Sequence, residues 1–304
     1  MFPIIPASSS GTTIYQNDEG IFFGGWVSGA VGMTNLVSNA GVVATDVSAV
    51  GTARMGAAGC EYGGDKGIFG YGSGVVDESN LVSNVGVVST DVTGVGTARE
   101  SLAACGYGGD KGIFGYGNAG GGHPAGLRSM TNLVSNAGVV STDVTGVGTA
   151  RSSPAACEYG GDKGIFGFGE AAADRTSITN LVTNIGVVGT DVAAVGTART
   201  SAAACEYGGD KGIFGFGYAG SPLDFTGITN LVSNTGVVAT DTAEVGTGKS
   251  GRGACEYGQD KGIFAYGYTG PVSTSNLVSN AGVVSTDVTG VGTARYGVAG
   301  CSFN

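Results

Sequence analysis

Charge is scarce in this sequence, and positive charge is scarcest. Of 304 residues, 24 are Asp or Glu and only 14 are Lys or Arg, which gives a net charge of −10. Neutralising nucleic-acid phosphates requires clustered Lys and Arg, so we expect no nucleic-acid partner. No apolar run approaches the ~20 residues that span a bilayer. MFPIIPASSS lacks the basic and long apolar regions of a secretory signal, so we expect neither membrane insertion nor a signal peptide.

Proline and helical periodicity are also lacking. There are six prolines and no Gly-X-Y repeat, which excludes collagen and a proline-rich disordered chain, and 41% hydrophobic residues suffice for a core. No window of 11 or more residues carries apolar side chains at helical spacing. Val, Ile, Phe, Tyr and Thr instead fill short segments between glycine-containing turns. The sequence therefore predicts a folded, all-β protein.

One unit accounts for most of the chain and occurs six times in register. NLVSN or NLVTN begins at six positions, and a cysteine follows each start by 25 residues. A repeat period of roughly 40–50 residues is typical of propellers and solenoids. The starts are Asn35, Asn80, Asn132, Asn180, Asn230 and Asn276, and the cysteines are Cys60, Cys105, Cys157, Cys205, Cys255 and Cys301.

The repeat also decides how the cysteines are interpreted. Equivalent positions in successive blades lie farther apart than the ~4.4–6.8 Å between Cα atoms that a disulfide needs, so we expect free, buried thiols. His123 is the one histidine, and no Cys/His spacing resembles a zinc site. We therefore expect no metal and no cofactor.

Each unit contains four segments with strand character. In the fourth complete copy these are residues 203–207, 211–216, 230–233 and 237–241, separated by turns rich in Gly and Asn. Residues 15–22, YQNDEGIF, are a degenerate copy of YGGDKGIF, so the chain starts partway through a unit. It finishes with RYGVAGCSFN, the strand that precedes such a hairpin. We predict an N-terminal extension at residues 1–14. For residues 15–304 we predict one six-bladed β-propeller with four-stranded blades, closed by the C-terminal strand.

All variation in length falls between GIFGYG and NLVSN, which places the variable loops on one face of the predicted ring. Non-repeated residues of these loops are the candidates for ligand or partner binding, because exposed aromatic side chains stack on sugars or anchor proteins. Residues present in six equivalent copies indicate a structural role, since a catalytic site is normally a single group of unlike residues. We therefore predict no catalytic residues. The candidates are Trp26, His123, Arg128, Arg175, Tyr218, Phe225 and Tyr268.

The order TAR, AACEY, GGDKGIFGFG, variable loop and NLVSNxGVVxTD resembles the kelch repeat, over almost the whole chain. Gly-Tyr-Gly or Gly-Phe-Gly replaces the kelch double glycine, and the kelch tryptophan is absent from every unit. This resemblance implies the propeller architecture only. The wording NLVSNxGVVxTDVxGVGTAR with YGGDKGIFGYG is also similar to repeats of virion structural and tail-appendage proteins of tailed phages.

The second resemblance implies a non-enzymatic virion protein, such as a phage appendage, tail or fibre component. Its loop face would bind the host surface or a virion partner. Other virion proteins, further copies of the chain and a host-surface glycan are the partners that this interpretation implies. The location would be the virion, after synthesis in the host cytoplasm without a signal peptide. A free carbohydrate-binding propeller lectin is the alternative, and a hydrolytic propeller enzyme is a third.

Overall fold

The chain forms only β-structure, turns and bridges over the residues that the computed structural model describes, which are 18–48, 50–193, 195–220 and 224–303. The predicted extension at residues 1–14 lies outside these ranges. The expected all-β class is confirmed, because the described ranges contain no helix. It follows that no described helix could cross a membrane.

Twenty-two strands are described, most of them four to eight residues long. They are β1 (Glu19–Phe23), β2 (Thr34–Val37), β3 (Ala58–Tyr62), β4 (Lys66–Gly72), β5 (Val76–Val82), β6 (Ala103–Tyr107), β7 (Lys111–Gly115), β8 (Thr131–Val134), β9 (Arg151–Ser152), β10 (Ala155–Tyr159), β11 (Lys163–Gly167), β12 (Glu170–Ala171), β13 (Thr179–Val182), β14 (Ala203–Tyr207), β15 (Lys211–Gly215), β16 (Tyr218–Gly220), β17 (Asp224–Phe225), β18 (Thr229–Val232), β19 (Gly253–Tyr257), β20 (Lys261–Tyr268), β21 (Pro271–Val278) and β22 (Ala299–Phe303).

The strands assemble into six three-stranded antiparallel sheets and two small two-stranded sheets. In each larger sheet the cysteine strand pairs with the GIF strand, and the GIF strand pairs with the NLV strand; thus Cys157 faces Ile165, which faces Leu181. The larger sheets have the orders β2-β1-β22, β3-β4-β5, β6-β7-β8, β10-β11-β13, β14-β15-β18 and β19-β20-β21, and the small ones are β12-β9 and β16-β17.

The expectation of a fourth strand in each sheet is wrong. Residues 237–241 are attached only through single contacts, such as the bridge between Val232 and Val238 and the 2.8 Å bond from Ala239 N–H to the Leu231 carbonyl. The Asn230 side-chain amide, rather than a backbone amide, then binds the Ala239 carbonyl at 3.0 Å. Because a side chain takes the place of the backbone ladder, the segment leaves the sheet.

The two ends of the described chain meet in one sheet. Strand β1 pairs on one side with β2 and on the other with β22, so that Ile21 lies between Leu36 and Cys301. This pairing is the one that the partial unit near the N-terminus predicts. The six cysteine strands, here called the inner strands, also contact one another in a cycle. Strand β3 contacts β6, and the series continues through β10, β14, β19 and β22 back to β3.

The core lies between adjacent sheets, in six apolar clusters. Cysteine strands alternate, so that Ala155, Cys157 and Tyr159 point into a cluster and are buried. The thiol of each packs against a glycine of the next sheet: a Cβ on Gly212 would lie 2.5 Å from the Cys157 sulfur. This close approach explains the glycine before Ile-Phe. All six cysteines are free and buried, as expected.

A closed cycle of six backbone hydrogen bonds, here called the hydrogen-bond belt, links the segments that enter the inner strands. Each N–H donates to the carbonyl of the preceding member at 2.7–3.1 Å, and Gly56 donates to Gly297. All six residues have φ between 48° and 66°. Three are serines, for which this left-handed conformation costs on the order of 1 kcal/mol each. The members are Gly56, Ser101, Ser153, Ser201, Gly251 and Gly297.

Adjacent sheets are joined by a buried polar contact, here called the junction clasp. Arg151 stacks over the Tyr116 ring at 4.0 Å and donates to the Asn180 side-chain oxygen at 2.8 Å. The Asn180 amide donates to Asp191 at 2.9 Å, and the Thr149 hydroxyl donates to the same carboxylate at 2.7 Å. Arg151 and Asn180 are completely buried. The clasp therefore ties the segment that leaves one sheet to the outer strand of the next.

The clasp recurs at every junction, with one change of residue. At the fifth junction Lys249 replaces the arginine and binds Asp287 at 2.8 Å. Arg252, three residues on, then donates to the Asn276 side chain at 2.7 Å and stacks over Phe216 at 4.0 Å. The remaining clasps contain Arg54 with Asn80, Arg99 with Asn132, Arg199 with Asn230, and Arg295 with Asn35.

Both charged members of the clasp remain ionised. Partial burial acts to raise the pKa of Asp191, but hydrogen bonds from Thr149 and Asn180, with the charge of Arg151, outweigh burial and hold this pKa below its usual value. Burial lowers the pKa of Arg199 to about 10, with Asp241 acting in the opposite direction. The guanidinium therefore stays charged at neutral pH.

The clasp predicts a strong difference between two asparagines of the same unit. Asn180→Ala should lower the free energy of unfolding by about 2–4 kcal/mol, because it removes the acceptor of a buried guanidinium. Asn184→Ala is the matched control: Asn184 is exposed and donates only to Asp162 at 3.1 Å, so the loss should be about 0.5 kcal/mol. Guanidinium denaturation followed by circular dichroism measures both. Equal losses would contradict the role given to the clasp.

Candidate ligand-binding face

An aromatic residue with positive φ precedes the last glycine of each Gly-aromatic-Gly or Ala-Tyr-Gly motif. Strands β7, β11 and β15 end just before this residue, whereas β4 and β20 continue past it with a shift in register. Tyr71, Tyr116, Phe168, Phe216 and Tyr266 all have φ of 61–65° there, and their rings are almost fully buried against the next junction clasp. A positive φ is unfavourable for an aromatic residue. Burial of the ring under an arginine offsets that cost, and the residue that follows the next glycine then lies toward the loop face.

That following residue occupies an equivalent place in each unit, here called the rim position. The six rim residues are Trp26, Ser73, Asn118, Glu170, Tyr218 and Tyr268. Most of them pair through the backbone with a residue that follows TAR or TGK, as Tyr218 does with Thr200, Tyr268 with Ser250 and Trp26 with Tyr296. The aromatic rim residues come from three sheets that are consecutive in the cycle of inner strands. The rim thus has an aromatic half and a polar half.

Aromatic contacts continue along the aromatic half as a connected row, here called the aromatic strip. Arg175 stacks over Tyr218 at 4.5 Å, and the ring centres of Tyr218 and Phe225 are 5.7 Å apart. Phe225 lies 5.9 Å from Tyr268, and Tyr268 lies 4.9 Å from Tyr296. Tyr268 is 37% exposed, and the other members are half-buried. The strip consists of Arg175, Tyr218, Phe225, Tyr268 and Tyr296.

Trp26 extends this arc. Its backbone N–H donates to the Tyr296 carbonyl at 2.7 Å, and its side chain is half-buried. The structure therefore brings five of the seven predicted binding residues into one arc: Trp26, Arg175, Tyr218, Phe225 and Tyr268.

His123 and Arg128 do not belong to the strip. The exposed His123 donates from Nε2 to the Ala171 carbonyl at 3.0 Å. Arg128 donates to the carbonyls of Ala125 and Leu127, both at 2.9 Å. Both side chains hold loop backbone in place, which gives them a structural role.

Sequence reasoning missed Tyr296. It lies directly after TAR, in a connection of constant length, where the other units have Met55, Glu100, Ser152, Thr200 and Ser250. An aromatic residue at a position that is otherwise small, polar or methionine was the available signal. Comparing repeats only in their variable loops could not detect it.

A cavity of about 320 Å³, here called the mouth cavity, opens beside the strip. Its floor is the hydrogen-bond belt, and Tyr268 and Tyr296 form part of its wall. Each belt N–H donates to a belt carbonyl, so the floor offers serine hydroxyls and the second lone pair of each carbonyl oxygen. Such a floor is rich in acceptors and suits a ligand that carries hydroxyl groups.

A second cavity, of about 60 Å³, lies among the inner strands. Four glutamates line it, namely Glu61, Glu158, Glu206 and Glu256, while Gly106 and Ser302 occupy the two equivalent positions. The Glu158 carboxylate lies across Gly106, where a Cβ would collide with it. No three His, Cys, Asp or Glu side chains in the described part of the chain are arranged to hold a metal ion.

The four carboxyl groups act on one another. Burial, followed by the charges of Glu256 and Glu61, raises the pKa of Glu206 well above its usual value, and burial with neighbouring glutamates does the same for Glu158 and Glu256. These three groups therefore retain protons at pH values where ordinary glutamates are ionised.

Comparison with protein-family models finds no match for this chain, and comparison with curated proteins finds no similar sequence.

The carboxyl cluster predicts that stability falls as pH rises. A carboxyl whose folded pKa exceeds its unfolded value of ~4.3 holds more protons when folded, so the free energy of unfolding decreases from about pH 4.5 up to the raised pKa. Glu206→Gln should therefore raise stability at pH 8, by roughly 1.4 kcal/mol for each unit by which the pKa is raised. Asp224→Asn, at an exposed carboxylate, is the control and should change little. Thermal denaturation between pH 5 and pH 9 measures this, and a flat wild-type profile would refute it.

Proposed function

We propose that the chain is a closed six-bladed β-propeller whose blades have three strands and an attached outer segment. Three observations support closure: the pairing of β1 with β22, the cycle of contacts among inner strands, and the hydrogen-bond belt that returns from Gly297 to Gly56. Six junction clasps, one of which uses Lys249 with Arg252 in place of a single arginine, attach each blade to its neighbour in a similar way. A ring of this kind is rigid and presents its loops from one face.

We further propose that the protein is a non-enzymatic binding component of a phage particle, in an appendage, tail or fibre. The aromatic strip carries the binding part of this proposal. Arg175, Tyr218, Phe225, Tyr268 and Tyr296 depart from the repeat, lie side by side, and combine stacking surface with one cation. Tyr and Arg are the residues that dominate binding energy at interfaces. The virion part is supported by the resemblance of the repeat to tailed-phage proteins.

A free carbohydrate-binding lectin is the alternative, and the hydroxyl-lined mouth cavity beside the strip is the observation that favours it. The two candidates use the same face. They differ in whether the protein is built into a particle or acts alone.

The strip predicts which variants lose binding. In particles that carry the wild-type chain, mass spectrometry should find the protein at a fixed copy number that matches the particle symmetry. The double variant Tyr218→Ala and Tyr268→Ala should assemble equally well but reduce attachment to host cells at least about tenfold, since truncating interface hot spots costs 2 kcal/mol or more.

Two other variants on the loop face are the matched controls. Arg128→Ala and His123→Ala should leave attachment unchanged, because both side chains bind only loop carbonyls. Recovery of the protein only as a free monomer would refute the virion assignment. Full attachment by the tyrosine double variant would refute the strip.

A further inference from the structure

The mouth cavity has a set of unpaired polar groups that the scaffold does not use. The hydroxyls of Ser101, Ser153 and Ser201 in the belt, and of Ser250 beside it, make no side-chain hydrogen bond with any described residue. Polar groups in a cavity that lack protein partners are available to a ligand. A ligand with several hydroxyls would pair with them without leaving belt groups unsatisfied.

One carboxylate faces this set of hydroxyls. Glu100 lines the cavity, is half-buried, and has no side-chain partner among the described residues. Its backbone pairs with Asn118 on the sheet of β6, whereas Tyr268 belongs to the sheet of β19, three steps away in the cycle of inner strands. The cavity therefore has a carboxylate on one side and the Tyr268 ring on the opposite side, with Tyr296 packed against Tyr268.

The cation that lines the cavity is already engaged. Arg252 donates from Nη1 to Asn276 and from Nη2 to the Phe264 carbonyl, and its guanidinium lies on the Phe216 ring. Arg252 binds Asn276 in place of the usual clasp arginine, because Lys249 stands at the position that this arginine occupies in the other units. With Arg252 held in the clasp and the belt amides used within the belt, the free charge in the cavity is negative. An anionic ligand would meet repulsion from Glu100 and would have the serine hydroxyls, rather than a free cation, as donors.

We infer that the mouth cavity binds one neutral sugar ring, at the end of a glycan or as a branch. Glu100 accepts hydrogen bonds from adjacent hydroxyls, the belt serines and carbonyls bind the remaining hydroxyls, and Tyr268 and Tyr296 stack on the apolar face of the ring. A volume of about 320 Å³ lies at the lower end of the range for small-molecule sites, roughly 300–1,000 Å³, which suits a single ring. The inference rests on the proposed binding role of the loop face and names its ligand class.

A small cation is the competing ligand, because a carboxylate with tyrosine rings also attracts ammonium groups. A quaternary ammonium has no donors or acceptors for the four serine hydroxyls and the belt carbonyls. It would displace their water without replacing its hydrogen bonds, which costs binding energy. The number of polar groups thus favours a polyhydroxylated neutral ring.

The repeat supplies a variant that removes hydroxyls without disturbing the belt. Three belt members are already glycine, and glycine adopts their positive φ without cost. The triple variant Ser101→Gly, Ser153→Gly and Ser201→Gly should therefore keep the fold and lose the hydroxyls. Glu100→Gln keeps the shape of the opposite wall and removes its charge. Thr235→Ala, at an exposed residue far along the sequence from both sets, is the matched control.

Isothermal titration with methyl α-hexosides of glucose, galactose, mannose and N-acetylglucosamine, a methyl sialoside, and choline tests the inference. At least one neutral glycoside should bind, and its affinity should fall at least tenfold in Glu100→Gln and in the triple glycine variant but not in Thr235→Ala. The sialoside and choline should bind more weakly than that glycoside.

Binding of none of the neutral glycosides, tighter binding of choline or the sialoside, or unchanged affinity in both cavity variants would overturn the inference. The proposed function fails separately. If tyrosine-strip variants still lose host attachment while no neutral glycoside binds, the strip recognises something other than a terminal sugar. If the tyrosine variants keep full host attachment and no neutral glycoside binds, both proposals are refuted.

Discussion

The rest of the structure depends on six buried arginine or lysine–arginine contacts between neighbouring sheets. A guanidinium removed from water needs compensating contacts, and removing one of them costs several kcal/mol. Arg151 donates to Asn180, lies over the face of Tyr116 and is close enough to feel the charge of Asp191, whereas its Nε has no partner among the described residues. These groups come from both sides of one junction. This requirement explains why NLVSN, VVxTD and TAR vary so little. It also explains why the single exception, Lys249, is accompanied by Arg252 within three residues.

The same requirement determines where variation is allowed. The aromatic residue with positive φ covers the clasp, and the residue after the next glycine lies at the rim. Nothing in the clasp constrains this rim side chain, so Ser73, Asn118 and Glu170 occur on one half of the rim and Trp26, Tyr218 and Tyr268 on the other. A scaffold built from six similar units thereby carries rim side chains that differ from unit to unit.

The sequence was sufficient to locate the strands that are marked by turn glycines and by alternating side chains. Turn glycines and alternating Ala-Ala-Cys-Glu-Tyr locate β14, and the partial unit near residue 18 predicts the partner of β22. The sequence predicts a strand at residues 237–241 because it does not show that the Asn230 side chain, rather than a backbone amide, binds the Ala239 carbonyl. Trp26, Arg175, Tyr218, Phe225 and Tyr268 could be predicted one by one as candidates, but Tyr296 was missed and the arc that they form could not be predicted. Tyr296 and Trp26 stand 270 positions apart in sequence, and only the meeting of the two chain ends makes them neighbours.

Strand β1 spends a long time incomplete while the chain is being made. Ile21 pairs with Cys301, 280 positions later, and synthesis at roughly 5–20 residues per second separates them by about a quarter of a minute to a minute. Over that interval one edge of β1 presents open N–H and carbonyl groups, a template for any strand of matching sequence. At high local concentration, β22 of another copy competes for that edge. The sheet that joins the two ends thus makes the fidelity of folding depend on chain concentration as well as on sequence.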